Sequence, residues 1–202
     1  MDADLIRRGL DTLANRDTQV ADGLAVVGYP EPRIRAEGFP GLLAIITAQQ
    51  ISASAAAAIR GRLQAIADPM TPEAFLALDD DALRAAGLSR QKVAYARGVA
   101  EAVIDGRLKP ARIAGLSDDE VIETLAGLKG IGRWSAEIYM LFSLGRSDIF
   151  PADDLAIQEA LRRLKKLEDR PKPVEARALV EHWAPWRGVG ALFLWHYYKG
   201  AP

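Results

Sequence analysis

Apolar residues recur every three to four positions along nearly the whole chain, and the strict alternation of a half-buried strand is scarce. This pattern predicts an all-α protein of about ten helices. Residues 1–28 read as one or two amphipathic helices. Tyr29-Pro30-Glu31-Pro32 interrupts them, and Phe39-Pro40-Gly41 reads as a second break. A long helix is expected over 42–67, stopped by Asp68-Pro69. Thr71 and Pro72 suit the start of the next helix, which Gly87 ends, and Ser89 caps another that reaches Ile104. Ser117-Asp118-Asp119-Glu120 spells a capping box before the apolar run at 121–125. A helix over 133–144 follows, then a loop stopped by Pro151, and Asp153 or Asp154 opens a helix to about Leu164. Arg170-Pro171-Lys172-Pro173 is a linker before two last helices at 174–183 and 189–198, separated by Pro185.

Composition narrows the chemistry. The 202 residues include no cysteine, which excludes a disulfide framework, a thiol nucleophile and a cysteine-bound cluster. The two histidines, His182 and His196, are too few for a histidine-rich metal site. The net charge of −1 gives no overall attraction for nucleic acid. Locally, 84–112 carries Arg84, Arg90, Lys92, Arg97, Arg107, Lys109 and Arg112 against only Glu101 and Asp105. Such a stretch is either a phosphate-binding face or a solvated helix surface. The N-terminus is too polar for a secretory signal and the longest apolar run too short to span a bilayer, so the cytoplasm is expected.

The chemistry concentrates in 125–161. Leu128-Lys129-Gly130-Ile131-Gly132 forms a glycine hairpin between two helices, and glycines there let backbone N–H groups approach a phosphate. Asp154 lies 20 residues beyond Trp134. A carboxylate there is placed for chemistry beside whatever the hairpin holds. Either acid of Asp153-Asp154 can equally be a helix N-cap. Trp134, one turn into its helix, reads on its own as core.

Five motifs occur in order: AQQISxxAA from Ala48, GLSxxK from Gly87, LKGIGRWSAE from Leu128, PxDD from Pro151 and WxPWR from Trp183. Together they resemble the helix-hairpin-helix (HhH-GPD) DNA glycosylases, and GIGRW with a downstream PxDD is most similar to the alkylbase, 3-methyladenine DNA glycosylase II branch. The resemblance covers roughly 42–197. It implies a two-lobed helical fold without an N-terminal sheet domain. One lobe spans 42–150 and ends in the helix-hairpin-helix at about 118–144. The other joins 1–41 to 151–202 and carries the catalytic acid, with DNA across the cleft.

The resemblance also implies roles. Asp154 maps to the catalytic aspartate, leaving Asp153 as the capping or structural acid. Trp134 stands where bifunctional relatives carry a lysine that forms a Schiff base, which implies a monofunctional enzyme using water. Trp134 and Trp195 line the base pocket, with Ile138 and Leu155 at positions where relatives place aromatics, while Trp183 and Trp186 are packing residues. Arg90 is at the wedge position with Leu88 nearby and Lys92 following, and Gln49 probes the orphaned base, unless it is a polar cap at a helix start. Gly130, Ile131 and Gly132, flanked by Lys129 and Arg133, bind phosphates. The carbonyls of Ala126, Leu128 and Ile131 are candidates for a structural Na or K ion, and no cofactor is required. The expected activity is excision of alkylated purines from double-stranded DNA by base flipping in base excision repair, by a monomer. The rivals are a related glycosylase for uracil, hypoxanthine or oxidised purines, and a non-catalytic DNA-binding module.

Overall fold

The computed structural model describes residues 1–201, and it is all-α, with no strand among them. The helices are α1 (Ala3–Arg16), α2 (Thr18–Val27), α3 (Gly38–Ala48), α4 (Ala53–Ile66), α5 (Pro72–Ala77), α6 (Asp80–Ala85), α7 (Arg90–Ile104), α8 (Pro110–Ile113), α9 (Asp118–Ala126), α10 (Arg133–Phe142), α11 (Leu155–Leu164), α12 (Pro173–Leu179) and α13 (Arg187–Gly200), with a 3-10 turn at Glu181–Trp183. None of these is long and apolar enough to cross a membrane.

Two compact units form. One joins Met1–Ile34 to the chain from Met140 onward, and the other is the continuous stretch Arg35–Tyr139. The limits expected from the motifs, at 41/42 and 150/151, differ from these divisions. The second division falls inside α10 because that helix runs unbroken through it.

In the continuous unit α7 packs on α3, α5 and α6, and α3 also meets α4 and α8. Phe39 and Phe75, both fully buried, meet edge to face at 5.4 Å. The expected break at Phe39-Pro40-Gly41 is instead the first turn of α3, where a proline lacks nothing because those amides have no helical acceptor. The single helix expected over 42–67 is two. Gln49 closes α3, Gln50 adopts a left-handed φ of 57°, and Ser52 caps α4 by accepting from the Ala55 amide at 3.2 Å. The helix expected to run from Thr71 to Gly87 also divides, because Asp79 caps a separate α6 through the Ala82 amide. Ser89 caps α7 as expected, and the Ser117–Glu120 capping box opens α9.

In the other unit α11 and α13 form the main contact, and α1 and α2 pack on α13. Ile6, Leu10 and Leu13 make the buried stripe of α1, at the spacing of one helical face. Asp17 joins these helices. Its backbone closes α1, and its Oδ1 accepts the Gln19 and Val20 amides to open α2. Its Oδ2 accepts the indole N–H of the fully buried Trp183 at 2.8 Å, lies 3.0 Å from His182 Nε2 and pairs with the Lys165 ammonium. Burial opposes the charge on Asp17, but the hydrogen bonds from Lys165, Trp183 and His182 outweigh it and hold the pKa at about 2.

Asp17→Asn is expected to lower unfolding free energy by about 3 kcal/mol in urea titrations, since it leaves Lys165 buried beside a neutral partner. The folded pKa lies below the ordinary 3.8, so the stability from this carboxylate is full above that value and is lost as pH falls toward 2. The variant should therefore show a flatter loss of stability over that interval.

Candidate nucleic-acid interface and catalytic acid

The hairpin lies wholly in the continuous unit. The Ile131 amide donates to the Leu128 carbonyl at 3.0 Å and closes the turn between α9 and α10. Gly130 sits at a φ of +90°, and a Cβ there would fall 2.2 Å from the Tyr95 ring, so only glycine allows the ring to cover this corner. Gln49 donates from Nε2 to the Gly130 carbonyl at 2.8 Å and to Ser135 Oγ at 3.2 Å. Gln91 in turn donates to the Tyr95 hydroxyl. The hairpin is thus braced from both the end of α3 and the start of α7. A recess of about 740 Å³ opens beside it, bordered by Gln50, Lys92, Tyr95, residues 126–132 and Trp134. The amino end of α10 carries the positive partial charge of a helix start, which suits a phosphate. Lys129, Gly132 and Arg133 are exposed there, with Arg133 also 3.0 Å from Glu137.

Several sequence assignments change in this setting. Leu88 is 3% exposed, with its amide bonded to the Leu83 carbonyl, so it is core and is not available as a wedge. Gln49 neither caps a helix start nor presents its amide N–H2 outward; it holds the hairpin. The Lys92 ammonium is bonded to the Thr47 carbonyl at 2.7 Å, and burial lowers its pKa, so it secures the end of α3 rather than reaching for a phosphate. The Ile131 amide is used by the turn itself, leaving the phosphate role to the neighbouring glycines and α10. Arg90 is exposed in the first turn of α7. Much of the basic stretch is neutralised internally: Arg84 pairs with Asp81, Arg97 with Asp80, and Arg107 with Asp105.

Asp154, Leu155 and Trp195 belong to the other unit, whereas Trp134 and Ile138 belong to the hairpin unit. Asp154 is the N-cap of α11, and its Oδ1 accepts the Ala156 and Ile157 amides at 2.9 and 3.1 Å. The capping role given to Asp153 therefore falls to Asp154, because only Asp154 sits one residue before the first helical turn. Asp153 is exposed and lies 3.5 Å from Arg177. Capping and catalysis are compatible in one side chain, since the helix amides bond Oδ1 and fix the direction of the carboxylate. Leu155 is 61% exposed, whereas Ile138 at 4% presents almost no surface to a ligand. Trp195 is half-buried, 5.7 Å from Phe142, and the Arg33 guanidinium lies 4.5 Å from the Phe142 ring centre and 6.0 Å from that of Trp195. Arg33 was not legible as part of this group, because it stands in the proline-rich connection far from Trp195 in sequence. Trp183 is fully buried and Trp186 packs on Gly9, as expected of packing residues.

Residues 43–185 match the HhH-GPD superfamily base excision DNA repair proteins. The chain belongs to that superfamily. A DNA-3-methyladenine glycosylase 1 of Schizosaccharomyces pombe is 37% identical over 163 residues, 79% of this chain and 72% of the relative. A solved structure of the Schizosaccharomyces pombe 3-methyladenine DNA glycosylase Mag1, in complex with abasic DNA, superposes with a TM-score of 0.89 at 33% identity, covering 96% of this chain and 98% of that one. A DNA-3-methyladenine glycosidase from Bacillus halodurans gives a TM-score of 0.80 at 32% identity, over 94% and 88% of the two chains. The all-α architecture is thus that of HhH-GPD proteins, with the hairpin where the superfamily's name places it.

Two substitutions separate the braced hairpin from the core behind it. Gly130→Ala should weaken binding to duplex DNA about tenfold in a fluorescence titration, because the displaced Tyr95 ring tilts the hairpin amides. Leu88→Ala should leave that affinity unchanged and instead cost about 3 kcal/mol of stability, the loss of a buried leucine.

Proposed function

We propose that this chain is a monofunctional DNA glycosylase that hydrolyses the N-glycosidic bond of alkylated purines, of the 3-methyladenine type, in duplex DNA and so initiates base excision repair. The observation that carries this reading is the near-complete structural match to a 3-methyladenine DNA glycosylase solved in complex with abasic DNA. The hairpin amides bind the backbone phosphates and set the register. The target nucleotide leaves the stack, and with Leu88 buried, the exposed Gln50 and Arg90 are the candidates to fill the gap.

An N3- or N7-alkylated purine is cationic, so its bond to the sugar is already weakened and it departs neutral, taking the bonding electron pair. Electron-rich faces of Trp134 and Trp195 suit such a base. Asp154 stabilises the positive charge on the sugar and orients a water, whose oxygen bonds to C1′ as the base leaves and whose proton passes to the carboxylate. No lysine stands at position 134, so the Schiff-base route to strand cleavage is missing from the motif. The carbonyls of Ala126, Leu128 and Ile131 fit a monovalent cation in donor type. All are uncharged oxygens, and Leu128 keeps a second lone pair beyond its bond to Ile131. Such an ion would add positive charge near the phosphates.

Base release from alkylated duplex DNA tests the reading. The parent protein should give strand breaks only after alkali, and Asp154→Asn should slow release at least about 100-fold while still binding DNA, since asparagine also caps a helix. Release of uracil or hypoxanthine in place of alkylpurines would move the assignment to a neutral-lesion enzyme. DNA binding with no release of any base would leave a recognition module.

A further inference from the structure

The segment between α10 and α11, residues 143–154, has no repetitive structure, yet it delivers Asp154. A backbone of this kind holds its place only where its polar groups find fixed partners. They are found at two points. At the first, the Ser147 carbonyl accepts the Gly188 amide at 2.7 Å and the Val189 amide at 3.3 Å. The Asp148 carboxylate accepts the Arg187 amide at 3.1 Å and both prongs of its guanidinium, Nε at 2.9 Å and Nη2 at 2.6 Å. The first turn of α13, which has no side-chain cap of its own, is thereby capped by the segment. A Cβ on Gly188 would lie 2.8 Å from the Ser147 carbonyl oxygen, so the approach requires glycine.

The second point is Arg177 on α12. Its Nη1 donates to the Phe150 carbonyl at 2.8 Å, and its Nη2 lies 3.5 Å from Asp153 Oδ2. One planar guanidinium therefore spans Phe150 to Asp153 and ends on the residue next to Asp154. Gln158 adds a bond from Nε2 to the Ala152 carbonyl at 2.7 Å, tying the same stretch to α11.

We infer that Arg177 is a positioning residue for Asp154: its guanidinium fixes the 150–153 backbone and so aims the carboxylate at the sugar. It acts through Phe150 and Asp153 and touches no substrate. Asp148 and Arg187 anchor the far end of the segment, and Arg177 sets its near end. The inference rests on the reading of Asp154 as the catalytic acid.

The test uses Arg177→Met and Arg177→Lys in the full chain. Lysine keeps the charge but cannot meet the carbonyl and the carboxylate together in a planar fork. Three quantities are read: the single-turnover rate of base release, the dissociation constant for duplex DNA with an abasic site, and hydrogen exchange at the Ala156 and Ile157 amides, which bond Asp154 directly. Expected for Arg177→Met is a rate lowered about tenfold, an unchanged dissociation constant and faster exchange at both amides. Arg177→Lys should recover less than half of the lost rate. Asp153→Asn should cost less than Arg177→Met, and the double variant no more than Arg177→Met alone, because both act along one chain of contacts. An unchanged rate with unchanged exchange overturns the inference, and so does a rate that falls only in proportion to DNA affinity. If the parent releases no base, the proposed function fails, while the exchange measurement still decides whether Arg177 holds Asp154.

Discussion

The buried carboxylate of Asp17 is the interaction on which the first unit depends. A single residue ends α1 with its backbone amide, and its side chain starts α2 and receives Trp183 and Lys165. Lys165 directly follows α11, whose opposite end is capped by Asp154. The helix that Asp154 opens is therefore a strut of roughly 15 Å with an acidic anchor at each end. Removing water from these charges is unfavourable, and the arrangement holds because Lys165 supplies a charge and Trp183 and the α2 amides supply further hydrogen bonds. Order at Asp154 is thus a property of a network that begins in the first turns of the chain.

The hairpin solves a different problem. A protein with a net charge of −1 cannot rely on a general positive field to hold a polyanion. Much of its basic stretch is already committed to internal pairs, and Lys92 to a backbone carbonyl. What remains is the amino end of α10, a few exposed cations, and a turn made rigid by Tyr95 and Gln49. Attraction of this kind comes chiefly from oriented backbone dipoles, which release few counterions and discriminate by shape.

The elements that carried their own chemistry were legible in the sequence. The adjacent acids Asp153 and Asp154 left the cap of α11 undecided, but Ser89 and Ser117 with Glu120 are local caps, and local hydrogen bonds follow from spacing alone. The glycines of the hairpin were legible for the same reason. The break at Gln49-Gln50 was not, because no glycine or proline marks it; the left-handed Gln50 is imposed by the pull of Gln49 on Gly130 and of Lys92 on Thr47. Leu88, Lys92 and Gln49 were misread because motif position says nothing of where a side chain turns once its neighbours are packed. Arg33 and Arg177 stayed hidden because their partners, Phe142 and Phe150, are fixed only by tertiary contacts.

The division of the chain has a consequence for its synthesis. The unit with the hairpin is one uninterrupted stretch, Arg35–Tyr139, and its contacts are complete once that stretch has left the ribosome. The other unit joins the stretches on either side of it: Asp17 must wait for Trp183, 166 residues later. Helices α1 and α2 therefore emerge well before their core, and α1 passes the synthesis of the intervening stretch with Ile6, Leu10 and Leu13 uncovered. The nascent protein completes its hairpin turn before the scaffold that surrounds α11.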